Sequence, residues 1–242
     1  MTSLLQSIRK RLTRLRAFPV LGTHEGAKFV LDPRNWTDNR VLARVPYEKA
    51  QFDHARKEIA ARDLDLVIDI GANFGLYTIV LGREPGIREV IAFEPVKRNY
   101  NQLCANIFAN RLDDKITAHC MALSDKNISG QTIYMDPKST NLARFDVATA
   151  DRPADVFQKS ETIDVARFDD ILALENRRAF VKIDVEGEAE RCLAGMENFF
   201  AKNKGVVQIE VSDCEPGVPA IMERYGWKLL RVIHLDHQFG KD

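Results

Sequence analysis

Short, continuous apolar runs alternate along this chain with stretches whose apolar residues recur every three or four positions. These are the periodicities of buried strands and of amphipathic helices. LDLVIDI (64–70), REVIAFE (88–94), KITAHCMAL (115–123), AFVKID (179–184) and GVVQIEV (205–211) are the runs. Rich in β-branched residues and without polar alternation, they predict strands buried on both faces. Helical spacing marks 47–61, a segment from about 76, 96–110, 168–174, a segment from 188 onward and 218–225. AKFVLD (27–32) predicts a short strand ahead of a turn at Asp32-Pro33, and WKLLRVIHL (227–235) a closing strand or hairpin. Strand–helix alternation predicts an α/β, Rossmann-like fold: a mostly parallel seven-stranded sheet with an antiparallel C-terminal strand and helices on both faces. Right-handed crossovers then bring the C-terminal ends of the core strands to one edge, where ligands bind. Residues 124–160, rich in Ser, Asp, Asn, Thr and Lys, break the pattern. They predict an irregular insertion around one strand, GQTIYM (130–135).

The beginning of the chain is different again. Leu4, Leu5, Ile8, Leu12 and Leu15 recur at helical spacing among Arg9, Lys10, Arg11, Arg14 and Arg16, with no acid before Glu25. The pattern predicts a basic amphipathic extension over 1–25, followed by one domain over 26–242. Two readings of the helix are open. Residues 1–17 either dock on an anionic membrane surface or membrane-bound partner, or pack their leucines on the domain and solvate their arginines; the second is the simpler expectation.

Length and composition add limits. The 242 residues, 45% hydrophobic and 29% charged, suit one well-packed domain. Basic and acidic residues balance at 35 each, so no nucleic-acid partner is expected. No apolar run approaches the ~18 residues that span a bilayer, and the N-terminus lacks the apolar core of a secretory signal. Cys104, Cys120, Cys192 and Cys214 are scattered without a C-x-x-C pair. A reducing cytoplasmic location follows, with contact at the inner membrane face left to the basic helix.

The chemistry concentrates at Asp69-Ile70-Gly71-Ala72-Asn73-Phe74-Gly75. A buried strand delivers a carboxylate, and a glycine turn then opens a helix. Glu94 ends the next strand, where a carboxylate can accept from both hydroxyls of a ribose. A dinucleotide turn needs glycine in its middle position so that the backbone reaches the pyrophosphate, and this chain has Asn73 there. S-adenosylmethionine carries no phosphate. Its ammonium suits Asp69, and its carboxylate suits the turn's amides.

VIDIGANFGLYT, AFEP ahead of an Asn-containing helix (Asn99, Asn106), ALSD (122–125), VKIDVEGEAERCLAG (181–195) and VVQIEV (206–211) occur in this order. In them the chain resembles the FkbM-type methyltransferases from about residue 27 to 230. The resemblance implies a class I methyltransferase fold and S-adenosylmethionine-dependent O-methylation, often of sugar hydroxyls in polyketides, glycolipids and polysaccharides. A deoxysugar such as fucose in a lipo-chitooligosaccharide is one such acceptor. It places Asp69, Gly71, Ala72, Asn73 and Gly75 in the cofactor turn and Thr78 at the start of its helix. Glu94, followed by Pro95, falls at the ribose, and Ala122, Leu123 and Ser124 at the adenine edge. Residues 184–187 fall beside the methyl group.

Methylating an alcohol requires alignment behind the methyl carbon and removal of a proton, so a base or metal is expected at the same edge. Asp184 is the first candidate for base or metal ligand and Glu210 the second. Lys182 and Glu186 also converge there, as chemistry or as a structural ion pair. Asp184 and Glu186 could share a divalent cation, but two carboxylates without a histidine do not predict one, and no metal site is assigned. His24, His54, His119, His234 and His237 have no spacing that ties them to the turn; Tyr77 lines the methionine pocket or packs the core. The acceptor pocket is expected from 32–50, the 136–160 insertion with Lys138, Ser139, Thr140, Asn141 and Arg144, and the C-terminal hairpin. The function expected is O-methylation of a sugar hydroxyl on a glycoconjugate or secondary metabolite. The alternatives are an NAD-binding oxidoreductase on the same fold or a catalytically silent adenosyl-ligand scaffold.

Overall fold

The computed structural model describes residues 2–137, 139–146, 154–212 and 214–242. The chain runs through α1 (Thr2–Thr13), β1 (Val20–His24), β2 (Ala27–Leu31), α2 (Trp36–Leu42), α3 (Lys49–Ala61), β3 (Leu66–Ile70) and α4 (Leu76–Gly82). β4 (Glu89–Phe93), α5 (Lys97–Ala109), β5 (Ile116–His119), β6 (Ala122–Leu123), β7 (Ile128–Asp136), β8 (Ser139–Arg144) and β9 (Lys159–Ala166) follow. The last part holds α6 (Phe168–Ile171), β10 (Arg178–Ile183), α7 (Ala189–Ala194), α8 (Glu197–Lys202), β11 (Lys204–Glu210), α9 (Val218–Arg224), β12 (Lys228–Ile233) and β13 (Asp236–Lys241).

Seven strands form the central sheet in the order β12-β13-β11-β10-β3-β4-β5. β11, β10, β3, β4 and β5 are mutually parallel, and β13 runs antiparallel between β11 and β12. The unbroken apolar runs have a simple cause. Val67, Phe180 and Val206 pack under α3, α4 and α5 on one face, while Ile68, Val181 and Val207 pack under α7, α8 and α9 on the other. A strand covered on both faces keeps its polar residues toward its C-terminal end, as with Asp69, Lys182 and Gln208, where each finds a partner.

Four parts differ from the pattern-based expectation. The third strand stops at His119: Ala122 and Leu123 leave the main sheet and pair with Val165 and Ala166 of β9. Among the described residues of 124–160 there is more than the one expected strand: β7 and β8, with β9 that follows, join β6 in a second, four-stranded sheet. One face of that sheet is buried, with Ile133, Met135, Ile163 and Val165 around Val96. The alternating polar residues that suggested a loop are its outer face. Residues 33–46, with no element expected, contain α2, capped by the Asn35 side chain accepting from the Thr37 amide. Finally, residue 25 lies in the turn of the β1–β2 hairpin, whose Phe29 and Leu31 are wholly buried. The boundary expected at 25 therefore divides a hairpin, and the domain begins ahead of Val20.

The expectation that α1 packs its leucines on the domain is also corrected. Leu4, Leu5, Ile8, Leu12 and Leu15 are all exposed. Among the described residues no helix is long and apolar enough to cross a membrane.

Candidate active site

The turn between β3 and α4 is fixed by its neighbours before any ligand is considered. The Gly71 and Ala72 amides both donate to the Phe93 carbonyl at the end of β4, at 3.0 and 2.9 Å. Gly71 has φ 81°, and a Cβ there would lie 1.9 Å from the Asp184 carbonyl oxygen. The Asp184 amide in turn donates to Ile70 at 2.9 Å. Gly71 is thus required by the passage of the chain leaving β10, not by ligand space. Gly75 serves packing as well: a Cβ there would meet Leu103 of α5 at 2.5 Å.

The turn is also tied to Glu94. The Asn73 amide donates to Glu94 Oε2 at 2.7 Å, the Val96 amide to Oε1 at 2.9 Å, and the Asn99 amide group to Oε1 at 3.3 Å. Burial pushes the Glu94 carboxyl up to about 7, with the Val96 and Asn73 amides opposing. Asp69 Oδ2 accepts from both the amide and the hydroxyl of Thr78 and so caps the first turn of α4. Burial raises Asp69 to about 6 against those two hydrogen bonds.

A cavity of about 330 Å³ opens over this turn at the C-terminal edge of the parallel strands. Asp69, Gly71, Ala72, Asn73, Glu94, Pro95, Ala122, Leu123, Asp184 and Glu210 all line it. Gly75, Thr78 and Ser124, expected at the cofactor, are not on its wall. Thr78 is buried beneath Asp69, and Ser124 is buried with its hydroxyl donating to Asp125. Trp36, Tyr47 and Glu48 from the 32–50 segment line the cavity, as do Ser139, Ala143, Arg144 and Phe145 from the insertion. Lys138 lies outside the described residues, and so do the side chains of Thr140 and Asn141. None of the five histidines lines the cavity. His119 stacks on Phe93 at 4.8 Å between centroids.

The far end of the cavity is acidic. Asp184 directly follows β10, Glu210 ends β11, and Glu48 is the left-handed residue (φ 51°) that caps the start of α3. Lys182 is wholly buried beneath them, with Nζ 2.9 Å from Asp236 Oδ1 and 3.6 Å from Asp184 Oδ2. Its burial disfavours the charge, but Asp184, Asp236, Glu48 and Glu210 outweigh that and raise its pKa. The C-terminal hairpin therefore supplies no wall residue. It supplies Asp236, which holds the lysine and accepts from Gln51 and Gln208 at 3.1 and 3.0 Å. Tyr77 lines the cavity and accepts from Gln208 at 2.9 Å. Arg144 of β8 pairs with Glu186 at 3.1 Å and ties the small sheet to the loop after β10.

Asp184 and Glu210 form an acid pair. The charge of Asp184 is the largest influence on Glu210; with burial it pushes that carboxyl up to about 8, against Lys182. Glu48 was missed in the sequence. It is half-buried on the cavity wall, its pKa is raised chiefly by burial, and its Oε2 has no hydrogen-bond partner among the described residues. Only its unusual backbone could have signalled it, and that is invisible in a sequence. Glu48, Asn73 (φ 53°) and Glu186 (φ 39°) are non-glycine residues in left-handed conformation on the wall. For glutamate such a backbone costs on the order of 1 kcal/mol or more and is retained where the surroundings fix it.

The strand order, the acid-flanked turn and the second acid one strand over define a class I methyltransferase fold. Residues 69–226 match the Methyltransferase FkbM domain, and the chain belongs to that family. It is 26% identical over 208 residues to the 31-O-demethyl-FK506 methyltransferase FkbM of Streptomyces tacrolimicus, covering 73% of this chain and 78% of that protein. It is 23% identical over 222 residues to methyltransferase sdnD of Sordaria araneosa, covering 80% and 85%. The crystal structure of methyltransferase FkbM from Methylobacillus flagellatus KT superposes with a TM-score of 0.53 at 16% identity. The match covers 99% of this chain and 59% of that one, so this chain spans somewhat over half of that structure.

Proposed function

We propose that the protein is an S-adenosylmethionine-dependent O-methyltransferase acting on a sugar hydroxyl of a glycoconjugate or secondary metabolite. The observation that carries the reading is one cavity with two chemically different ends. At one end, Glu94 is positioned by the Asn73 and Val96 amides as an acceptor for a ribose diol. At the other stand Asp184, Glu210 and Glu48. The donor, when bound, supplies an already activated methyl group on a sulfonium.

Each part of the wall then has a task. Asp69 and the α4 N-terminus suit an ammonium and a carboxylate. Phe93, Met121 and Leu123 supply an apolar strip for a base. Asp184, backed by Glu210, takes the proton from the acceptor oxygen. Lys182 stays protonated, keeping the acids from repelling one another outright. Ser139, Arg144 and Glu186 are donors and acceptors for hydroxyls at the mouth. Support for oxygen as the acceptor comes from the relative named 31-O-demethyl-FK506 methyltransferase.

The test is incubation with S-adenosylmethionine and glycan or glycolipid extracts, followed by mass spectrometry of the products. One added CH₂ on a sugar oxygen is expected. A methyl group found on nitrogen or carbon, or a protein that fails to bind the donor, would overturn the proposal.

A further inference from the structure

Helix α1 is turned the opposite way from a helix that completes a core. Its contact side is polar: the buried Thr13 and the half-buried Gln6 and Lys10 lie together, and the Lys10 carbonyl accepts from the Asn39 side chain of α2 at 3.1 Å. Leu4, Leu5, Ile8 and Leu12 are 68, 54, 46 and 60% exposed. At about 100° per residue they share an arc of roughly 100° on the side opposite Gln6, Lys10 and Thr13, with Leu12 at its edge bordering a groove against Leu42 and Arg44. Leu15 and Phe18 continue the exposed apolar surface past the helix, at 82 and 56%. Arg9 flanks this stripe on one side and Arg11 on the other, exposed Arg14 and Arg16 follow directly after the helix, and no ion pair engages any of the four among the described residues.

We propose that α1 is a docking helix that lies in the headgroup region of an anionic lipid bilayer. An apolar stripe bordered by cations fits a surface with an apolar interior and negative headgroups. A nucleic acid would use the cations and leave the leucines in water. A protein partner of matching character would have to be both apolar and acidic. The docked helix rests on α2, whose first turn gives Trp36 and Thr37 to the cavity wall. The active site is thereby held one helix away from the bilayer. This inference does not depend on the acceptor's identity.

The full chain is sedimented with vesicles of phosphatidylcholine alone and of phosphatidylcholine with roughly three parts in ten phosphatidylglycerol. Partition onto the anionic vesicles is expected, with little onto the neutral ones. Leu5→Glu with Leu12→Glu, and separately Arg11→Glu with Arg14→Glu, should each reduce it at least about tenfold. These side chains are exposed, so the thermal transition of either variant should be unchanged, which separates lost docking from lost folding. Absence of partition overturns the proposal, as does partition that both variants retain. A dimer in solution that the leucine pair abolishes, without vesicle binding, also overturns it and assigns the stripe to a second copy of the chain.

Discussion

At Glu94, burial drives the carboxyl up to about 7 while the Val96 and Asn73 amides favour its ionised form, so near neutral pH the group is partly protonated without a ligand. Ribose hydroxyls donate to the ionised carboxylate and should pull protons off it. Affinity for S-adenosylmethionine is therefore expected to rise as pH rises through about 7 and then level off. Glu94→Ala should weaken binding by roughly 1–3 kcal/mol and abolish that pH dependence; calorimetry across the range reads both. The acid pair makes a separate prediction. Because the Asp184 charge is the main cause of the raised Glu210 pKa, a second ionisation near 8 should increase the rate. Asp184→Asn should lower turnover more than donor affinity. It should also move the rising limb of the residual pH–rate profile well below 8, because the like charge is gone. Wild-type turnover in that variant would exclude Asp184 as the base.

At the level of elements, strands buried on both faces were legible because their apolar runs are unbroken, and the acids at their ends followed from register. β3 puts Asp69 beside Lys182 and Ala92, which is why the sequence placed most of the wall. Of the second sheet only β7, expected as GQTIYM, was legible. Its strands bury one face only, so β9, written KSETIDVA, is half polar and reads as a loop until Ile163 and Val165 are seen to point inward. Gly75 and Thr78 carried a familiar motif but serve packing and capping, a distinction that depends on Leu103 and Asp69 in three dimensions. Gly71 tests the same point. Both Gly71 and Gly130 have φ near 80°, but a Cβ at Gly130 meets only Thr162 at 3.6 Å. Gly130→Ala should cost about 1 kcal/mol from backbone conformation alone. Gly71→Ala adds the collision with the Asp184 carbonyl, which must displace either the turn or the end of β10. A loss of at least about 3 kcal/mol in denaturant titration is expected, and equal losses at the two glycines would refute the interlock.

On the scale of the whole molecule, the buried acids of the cavity should make the ligand-free protein prefer mildly acidic conditions. Asp69 is raised to about 6 and Glu94 to about 7 by burial, from ordinary values of 3.8 and 4.5. Between each pair of values the folded chain holds a proton that the unfolded chain has released. Stability is therefore fully present near and below pH 4 as far as these two groups are concerned, and falls as pH rises to about 7. Glu94 alone accounts for a few kcal/mol at most, at about 1.4 kcal/mol per unit. Asp236 works in the opposite sense: Lys182 and the Gln51 and Gln208 amides hold its pKa below the usual value despite burial. Its contribution is present above the ordinary aspartate range and is lost as pH drops through it. The raised acids thus pull the stability maximum of the ligand-free protein toward the acidic side, against Asp236 and the histidines His24, His54 and His119, whose pKa values burial lowers. Saturating S-adenosylmethionine binds the ionised form of Glu94 and should move the peak toward neutral pH. Glu94→Gln, neutral at every pH, should flatten the fall between pH 5 and 7. It should melt higher than the wild type at neutral pH without the donor, and lower than the wild type once the donor is saturating. A Glu94→Gln variant whose melting temperature changes between pH 5 and 7 just as the wild type's does would show that Glu94 is not held protonated by the fold.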